Sequence, residues 1–299
     1  MTPRRAANKM PAGMHATGPN ALFEPPLFEI MALLVGLIVG SFANVCIHRL
    51  PRDYEPAGGR LGWLKDVGRQ LGSVVHPPSH CPRCGRPIRP WDNVPVLSWL
   101  VLRGRCRSCG LPISMRYPAV EALNGALWLG LALLHGPRLR TLVEMLFVTA
   151  LLVLVMIDLE HQLLPDAVTL PATAAGLAAS FLPGSPLRPL WALAAAAGGY
   201  TAFALLALAW KRLRGIDALG EGDWKMAAML GAFLGGEQLL LTVLLASVAG
   251  SLLGVAGMAL RRGDWQSRLP LGSFLGVAGI FVVLWGPALL EGYRRAFGG

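Results

Sequence analysis

Two acidic residues stand where acids are costly. Asp158 closes an apolar run in MIDLEHQLLPD, and Asp223 opens another in LGEGDWKMAAMLG. Ionisable groups at or within apolar spans usually serve a function. Two carboxylates brought close in a partly dehydrated site share a proton, so one acts as general base on a water while the other polarises a carbonyl. That is aspartyl protease chemistry, and the coupling means that neither Asp owns a single pKa. Gly220 and Gly222 flank Glu221 ahead of Asp223, letting the backbone bend and a substrate strand come close. Helix capping competes with this reading for Asp223 and for Asp166, since both precede apolar runs where Asp is a favoured N-cap. It explains Asp158 poorly, because the macrodipole disfavours a negative charge at a helix end. A proton-coupled transporter using Asp158, Asp223 and Glu121 as a relay is the alternative, and the residues by themselves leave both open. Asn44, Glu121 and Asn124, also in or at the edge of apolar spans, either hydrogen-bond between helices or meet substrate.

A second constellation is CPRC at Cys81 and Cys84 followed by CRSC at Cys106 and Cys109, with 21 residues between the pairs. Four thiolates suit a tetrahedral zinc ion, and a separation slightly above the usual spacing still fits a ribbon. Gly85 and Gly110 each follow a second cysteine, where a knuckle turn needs a residue tolerant of positive φ. With all four positions filled by protein, the metal is expected to be structural, giving the loop a folding nucleus that its sparse apolar content lacks. Two separate thiol or redox pairs are the competing reading. The fifth cysteine, Cys46, sits in an apolar run and is expected simply to be buried.

These residues need elements to hold them. The 299-residue chain is 54% hydrophobic and 15% charged, with a mean hydropathy of +0.51, against about 25% charged residues in soluble domains. Its apolar residues fall in long runs, which excludes an ordinary soluble enzyme, disorder and collagen, and indicates an all-α polytopic membrane protein. A polar tail over 1–29 precedes a first transmembrane helix over 30–47, read as retained rather than as a cleaved signal. A polar loop domain over 48–118 carries twelve Lys or Arg against four acids, most of the formal +10. Seven further apolar segments follow within 119–290, at about 119–135, 141–157, 167–182, 188–210, 224–235, 238–260 and 271–290, and a tail over 291–299 ends the chain. About eight transmembrane helices are therefore expected. The segment at 224–235 is short and Gly-rich, so it is tilted, broken, or continued through Gly235 and Gly236. Positive charge concentrates in the 48–118 loop and in the connections on its side, which places that loop and both aspartates at the cytoplasmic face. No aromatic interleaving or base-reading helix accompanies the basic loop, so nucleic acid is not an expected partner.

The combined pattern resembles the bifunctional prepilin peptidases, the leader peptidases of type IV pili and type II secretion. It is carried by GSFANVCIHRLP at 40–51, the two CxxC pairs, DNVPVLSWLVLRGRCRSCGLPISMRYPAVE at 92–121, IDLEHQLLPD at 157–166 and GEGDWK at 220–225. The resemblance implies a GxGD aspartyl protease of the bacterial inner membrane. Such an enzyme cleaves the basic leader of prepilins or pseudopilins at the cytoplasmic face, then methylates the new N-terminal amine from S-adenosylmethionine. It maps the catalytic pair onto Asp158 and Asp223, with Gly220, Gly222 and Lys225 as motif support, and zinc onto Cys81, Cys84, Cys106 and Cys109. Asp166 is then the less favoured catalytic partner. Glu221 and Trp224 add a third carboxylate and a bulky neighbour beside Asp223. No Rossmann-type glycine fingerprint is present, so the methyl-donor site has no motif of its own. Because the loop is basic, recognition of a basic leader is expected to use Glu160, Asp166, Glu221 or Asp217.

Overall fold

In a computed structural model the described residues are 26–52, 62–76, 78–81, 83–215, 219–259 and 270–297. They form helices α1 (Leu27–Arg49), α2 (Gly62–Val75), α3 (Leu97–Val101), α4 (Arg116–His135), α5 (Leu139–His161), α6 (Asp166–Ala179), α7 (Pro189–Arg214), α8 (Glu221–Ala259) and α9 (Leu271–Phe297). Among the described residues there is no β-strand beyond two isolated bridges in the cysteine loop. The tail expected over 1–29 lies outside the described residues as far as residue 25, and α1 already begins at Leu27. At the other end α9 continues to Phe297, so 291–297 prolongs the last helix.

Among the described residues six helices, α1, α4, α5, α7, α8 and α9, are long and apolar enough to cross a membrane. The expected count of about eight is not confirmed by helix length, and the difference lies in α6 and α8. At 14 residues, α6 reaches only about 21 Å, short of a hydrocarbon core of roughly 30 Å. The segments expected at 224–235 and 238–260 are the two halves of the 39-residue α8, which breaks at Gly235 with φ 75° and ψ 176°. The halves run in opposite directions along α9. A Cβ on Gly276 would lie 3.3 Å from Met226 and one on Gly279 2.8 Å from Leu230, so the first half ascends with α9. Conversely, a Cβ on Gly250 would meet Phe274 and one on Gly286 would meet Gln238, so the second half descends against it. Positive φ at this reversal is natural only for glycine. Arg140 fastens the turn by donating to the Phe233 carbonyl at 3.1 Å while pairing with Glu144 at 2.9 Å.

Small residues set the helix spacing, as they do where lipid removes the hydrophobic drive between helices. Gly36 and Gly40 of α1 let its backbone approach α4, where a Cβ would come within 2.8 Å of Trp128 and 2.9 Å of Glu121 Cα respectively. A buried chain of hydrogen bonds ties that crossing to α5. Asn124 donates to the Gly36 carbonyl at 2.7 Å, Thr149 donates to Asn124 Oδ1 at 2.8 Å, and Trp128 donates to Thr149 Oγ1 at 2.9 Å. Near the loop end, Asn44 donates to the Tyr117 carbonyl at 3.0 Å. Helix α5 lies centrally, with Leu151, Leu154 and Ile157 wholly buried.

The polar loop contains an element that its composition hides. Helix α2 turns Val67 and Val74 into the cluster formed by Ile47, Leu50, Ile157 and Ala167, roofing the end of the bundle where α5 stops and α6 starts.

The closest approach to another helix's backbone among the described residues is at Gly231, where a Cβ would fall 2.4 Å from the Ala195 carbonyl oxygen, whereas one at Gly198 would meet nothing within 4 Å. Since backbone cannot yield as a side chain can, Gly231→Ala should cost about 2 kcal/mol or more, and Gly198→Ala should be near neutral. Unfolding transitions of the two variants in detergent test the contrast.

Candidate active site and cysteine centre

Asp158 lies in the last turn of α5. That helix ends at Gln162, whose left-handed backbone (φ 51°, ψ 43°) caps it by donating to the Asp158 carbonyl at 2.9 Å. The side chain is 5% exposed, and it is held from outside its own helix: Ser273 at the start of α9 donates both its N–H, at 2.5 Å, and its hydroxyl, at 2.8 Å, to Oδ2. Asp223 lies in the first turn of α8, where its Oδ2 accepts the Gly220 N–H at 3.0 Å. The bond closes the first turn from the third helical residue back to the residue before the helix and leaves Oδ1 over, whereas the capping reading put Asp223 itself at the N-cap. The two carboxylates sit at the same end of the bundle, where the turn that carries Asp223 and the α9 turn that clasps Asp158 both pack against Leu164.

Leu164, from the α5–α6 connection, is wedged between the two arms of the site. A Cβ on Gly222 would lie 2.9 Å from Leu164 Cβ, and one on Gly272 would lie 3.0 Å from Leu164 Cδ1 and 3.0 Å from Asp158 Cγ. Gly222 therefore serves close packing in the motif. Gly220, flanking on the other side, supplies the backbone donor to Asp223. Lys225, two residues on, reaches α6 and pairs with both oxygens of Asp166 at 2.7 and 2.8 Å. Asp166 is thus occupied by a cation and binds α6 to α8.

Of the four acids expected to meet a basic leader, Glu160 is paired with Arg116 and Asp166 with Lys225. Glu221 is exposed at the start of α8, and Asp217 lies outside the described residues. Glu121 is engaged too, its Oε2 accepting the N–H of Val96 at 2.7 Å. Val96 adopts φ 60°, costly for a β-branched residue, and this carboxylate holds it there. Ser273 and Gly272 were not expected from sequence. A serine and a glycine inside an apolar run match no motif, and only the fold brings them to Asp158.

The four cysteines converge through two equivalent knuckles. In one, Gly85 N–H donates to the Cys81 carbonyl and Cys81 N–H to Arg86. In the other, Gly110 N–H donates to Cys106 and Cys106 N–H to Leu111, all four bonds at 2.9 Å. Gly85 and Gly110 take φ 68° and 70°, as the spacing led one to expect. The four sulfurs lie within 4.8 Å of one another, with Cys81 and Cys109 4.0 Å apart. The thiols are unequal. N–H groups of Cys84 and then Arg83 draw Cys81 down to about 7. Cys109, although the Leu111 N–H opposes it, is pushed up to about 11 by burial and by its sulfur neighbours. Trp99, donating to the Ile113 carbonyl at 3.1 Å, and Arg107, gripping Asp92 at 2.7 Å, brace the segment between and around the pairs.

The chain is similar to known proteins along most of its length. Residues 34–135 match the bacterial peptidase A24 N-terminal domain, and residues 145–255 match the type IV leader peptidase family. Proteins named prepilin leader peptidase/N-methyltransferase are among its relatives. That of Burkholderia pseudomallei is 39% identical over 270 residues, covering 85% of each chain. Those of Aeromonas hydrophila and Pseudomonas aeruginosa are each 39% identical, over 91% and 92% of this chain and 96% of their own. No solved structure matches. The matched regions contain the cysteine loop and both aspartates, and with relatives this similar over this much of its length, the chain belongs to the type IV leader peptidase family.

Proposed function

We propose that this protein is a membrane-embedded aspartyl endopeptidase that removes the leader of type IV prepilins or type II secretion pseudopilins and then methylates the new N-terminal amine. The observation that carries the reading is the pairing of Asp158 and Asp223 at one end of an apolar bundle, each with one oxygen anchored by protein donors and the other left for chemistry. Nothing in the relatives supports a transporter.

The anchored pair accounts for hydrolysis. One carboxylate takes a proton from a water, whose oxygen attacks the scissile carbonyl carbon, while the other, protonated, gives its proton to the carbonyl oxygen. Collapse of the tetrahedral adduct breaks the C–N bond, and the departing nitrogen takes a proton from the carboxyl that received it. The products are the leader acid and a free amine. For methylation, the amine nitrogen would displace the thioether from a sulfonium methyl, the C–S bond breaking as the N–C bond forms and an amine proton leaving to solvent; S-adenosylmethionine would supply the methyl and depart as S-adenosylhomocysteine. Placing the carboxylates at the end of the bundle lets an apolar substrate helix stay in lipid while its polar leader enters. Lys225 and Asp166 keep α6 against the catalytic turn, and exposed Glu221 is the acid left to meet a basic leader. The positive loop and connections on the same side support a cytoplasmic setting for this end of the inner-membrane bundle.

Cys81, Cys84, Cys106 and Cys109 are assigned to a structural zinc ion. Zn–S bonds of 2.3 Å in a tetrahedron put sulfurs about 3.8 Å apart, which the cluster matches to within small adjustments. A site closed by four thiolates organises the loop and takes no part in bond breaking. The loop domain over 48–118 and the helical domain over 119–290 form a single working unit, joined where α2 roofs the end of α5.

Asp158→Asn and Asp223→Asn should each lower leader cleavage at least about a thousandfold while leaving the protein inserted and folded, as assayed with purified enzyme and a prepilin-like peptide. Cleavage at the wild-type rate by either variant removes that residue from the mechanism. Cys81→Ser should reduce bound zinc from one ion per chain to near none in elemental analysis, and unchanged zinc content refutes the assignment.

A further inference from the structure

The match to the type IV leader peptidase family model ends at residue 255, ahead of α9, which begins at Leu271. Its first turn nevertheless touches Asp158 more intimately than any other described element outside α5. Two donors from one residue converge on one oxygen: the Ser273 N–H at 2.5 Å and its hydroxyl at 2.8 Å. The Val155 carbonyl is a more distant acceptor for that hydroxyl, at 3.3 Å. Ser273 is 5% exposed, so water does not compete for these bonds. The approach is possible because the preceding residue has no side chain, since a Cβ on Gly272 would fall 3.0 Å from both Cγ and Oδ2 of Asp158.

We propose that Ser273 and Gly272 are positioning residues for Asp158, fixing the rotation of its carboxylate so that Oδ2 is held and Oδ1 is presented to water and substrate. The inference rests on the catalytic reading of Asp158. Bonds to a charged acceptor are shorter and about twice as strong as neutral ones, and two of them on one oxygen fix the side-chain torsions. Catalytic groups lose efficiency when they drift by about 0.5 Å, so an aspartate on the last turn of a helix gains from an external clamp. The first turn of α9 also turns its positive pole toward a carboxylate that the negative end of α5 disfavours.

The test uses the full-length protein in detergent, with cleavage of a prepilin-like peptide and, in parallel, methylation of a peptide that already begins at the mature residue. Ser273→Ala, which keeps the N–H, should lower kcat for cleavage about tenfold with KM and methylation unchanged. Ser273→Thr restores the hydroxyl and should recover most of the rate, and Gly272→Ala should lose about a hundredfold by displacing the carboxylate. A wild-type kcat in Ser273→Ala overturns the proposal. So does an equal loss in Ser273→Ala and Ser273→Thr, or a parallel loss of methylation, which marks a helix cap needed only for folding. If the wild-type protein itself leaves the peptide intact, the catalytic reading is what fails.

Discussion

Within hydrocarbon there is no water to satisfy a polar group, and each such group must find its partner inside the protein. The bundle follows from how this demand is met. Asn124, Thr149 and Trp128 pass hydrogen bonds from α1 through α4 to α5, and Arg140 caps the carbonyl left open where α8 turns back. Glycine stripes then let the helices close until backbone meets backbone. The same demand, applied to a carboxylate, explains why Asp158 is clasped by the start of a helix 115 residues later in the chain.

That rule is incompletely met at one end of the molecule. The acids near this end are mostly spent on structure: Glu160 on Arg116, Asp166 on Lys225, Glu121 on the backbone of Val96. Asp158 and Asp223 differ in keeping one oxygen each outside the protein's own bonding. The loop domain has the opposite economy. It has little apolar mass, and its order comes from paired knuckles, the Asp92–Arg107 clasp and the packing of α2 on the bundle.

Much of this could be read from residue types alone. Both aspartates announce themselves by position in apolar runs, and the cysteines by spacing. The short Gly-rich segment before Gly235 signals a break, but its sharp reversal depends on contacts with α9 that no local pattern contains. Counting apolar runs locates the segments, but hydropathy alone does not set helix length: α6 is confined between the Leu164–Pro165 corner and the turn after Ala179. Helix α2 escapes notice because its apolar residues are few and spaced for one face within a charged stretch. Ser273 is the plainest case, a residue whose meaning is entirely tertiary.

Leu164 gives the site its gauge. It fills the space between the glycine that precedes Asp223 and the glycine that abuts Asp158, so the spacing of the α8 and α9 starts is set by the girth of one aliphatic side chain. Two acids on separate helices are thereby held in register by their neighbours, and an uncharged residue becomes the part against which their helices are measured.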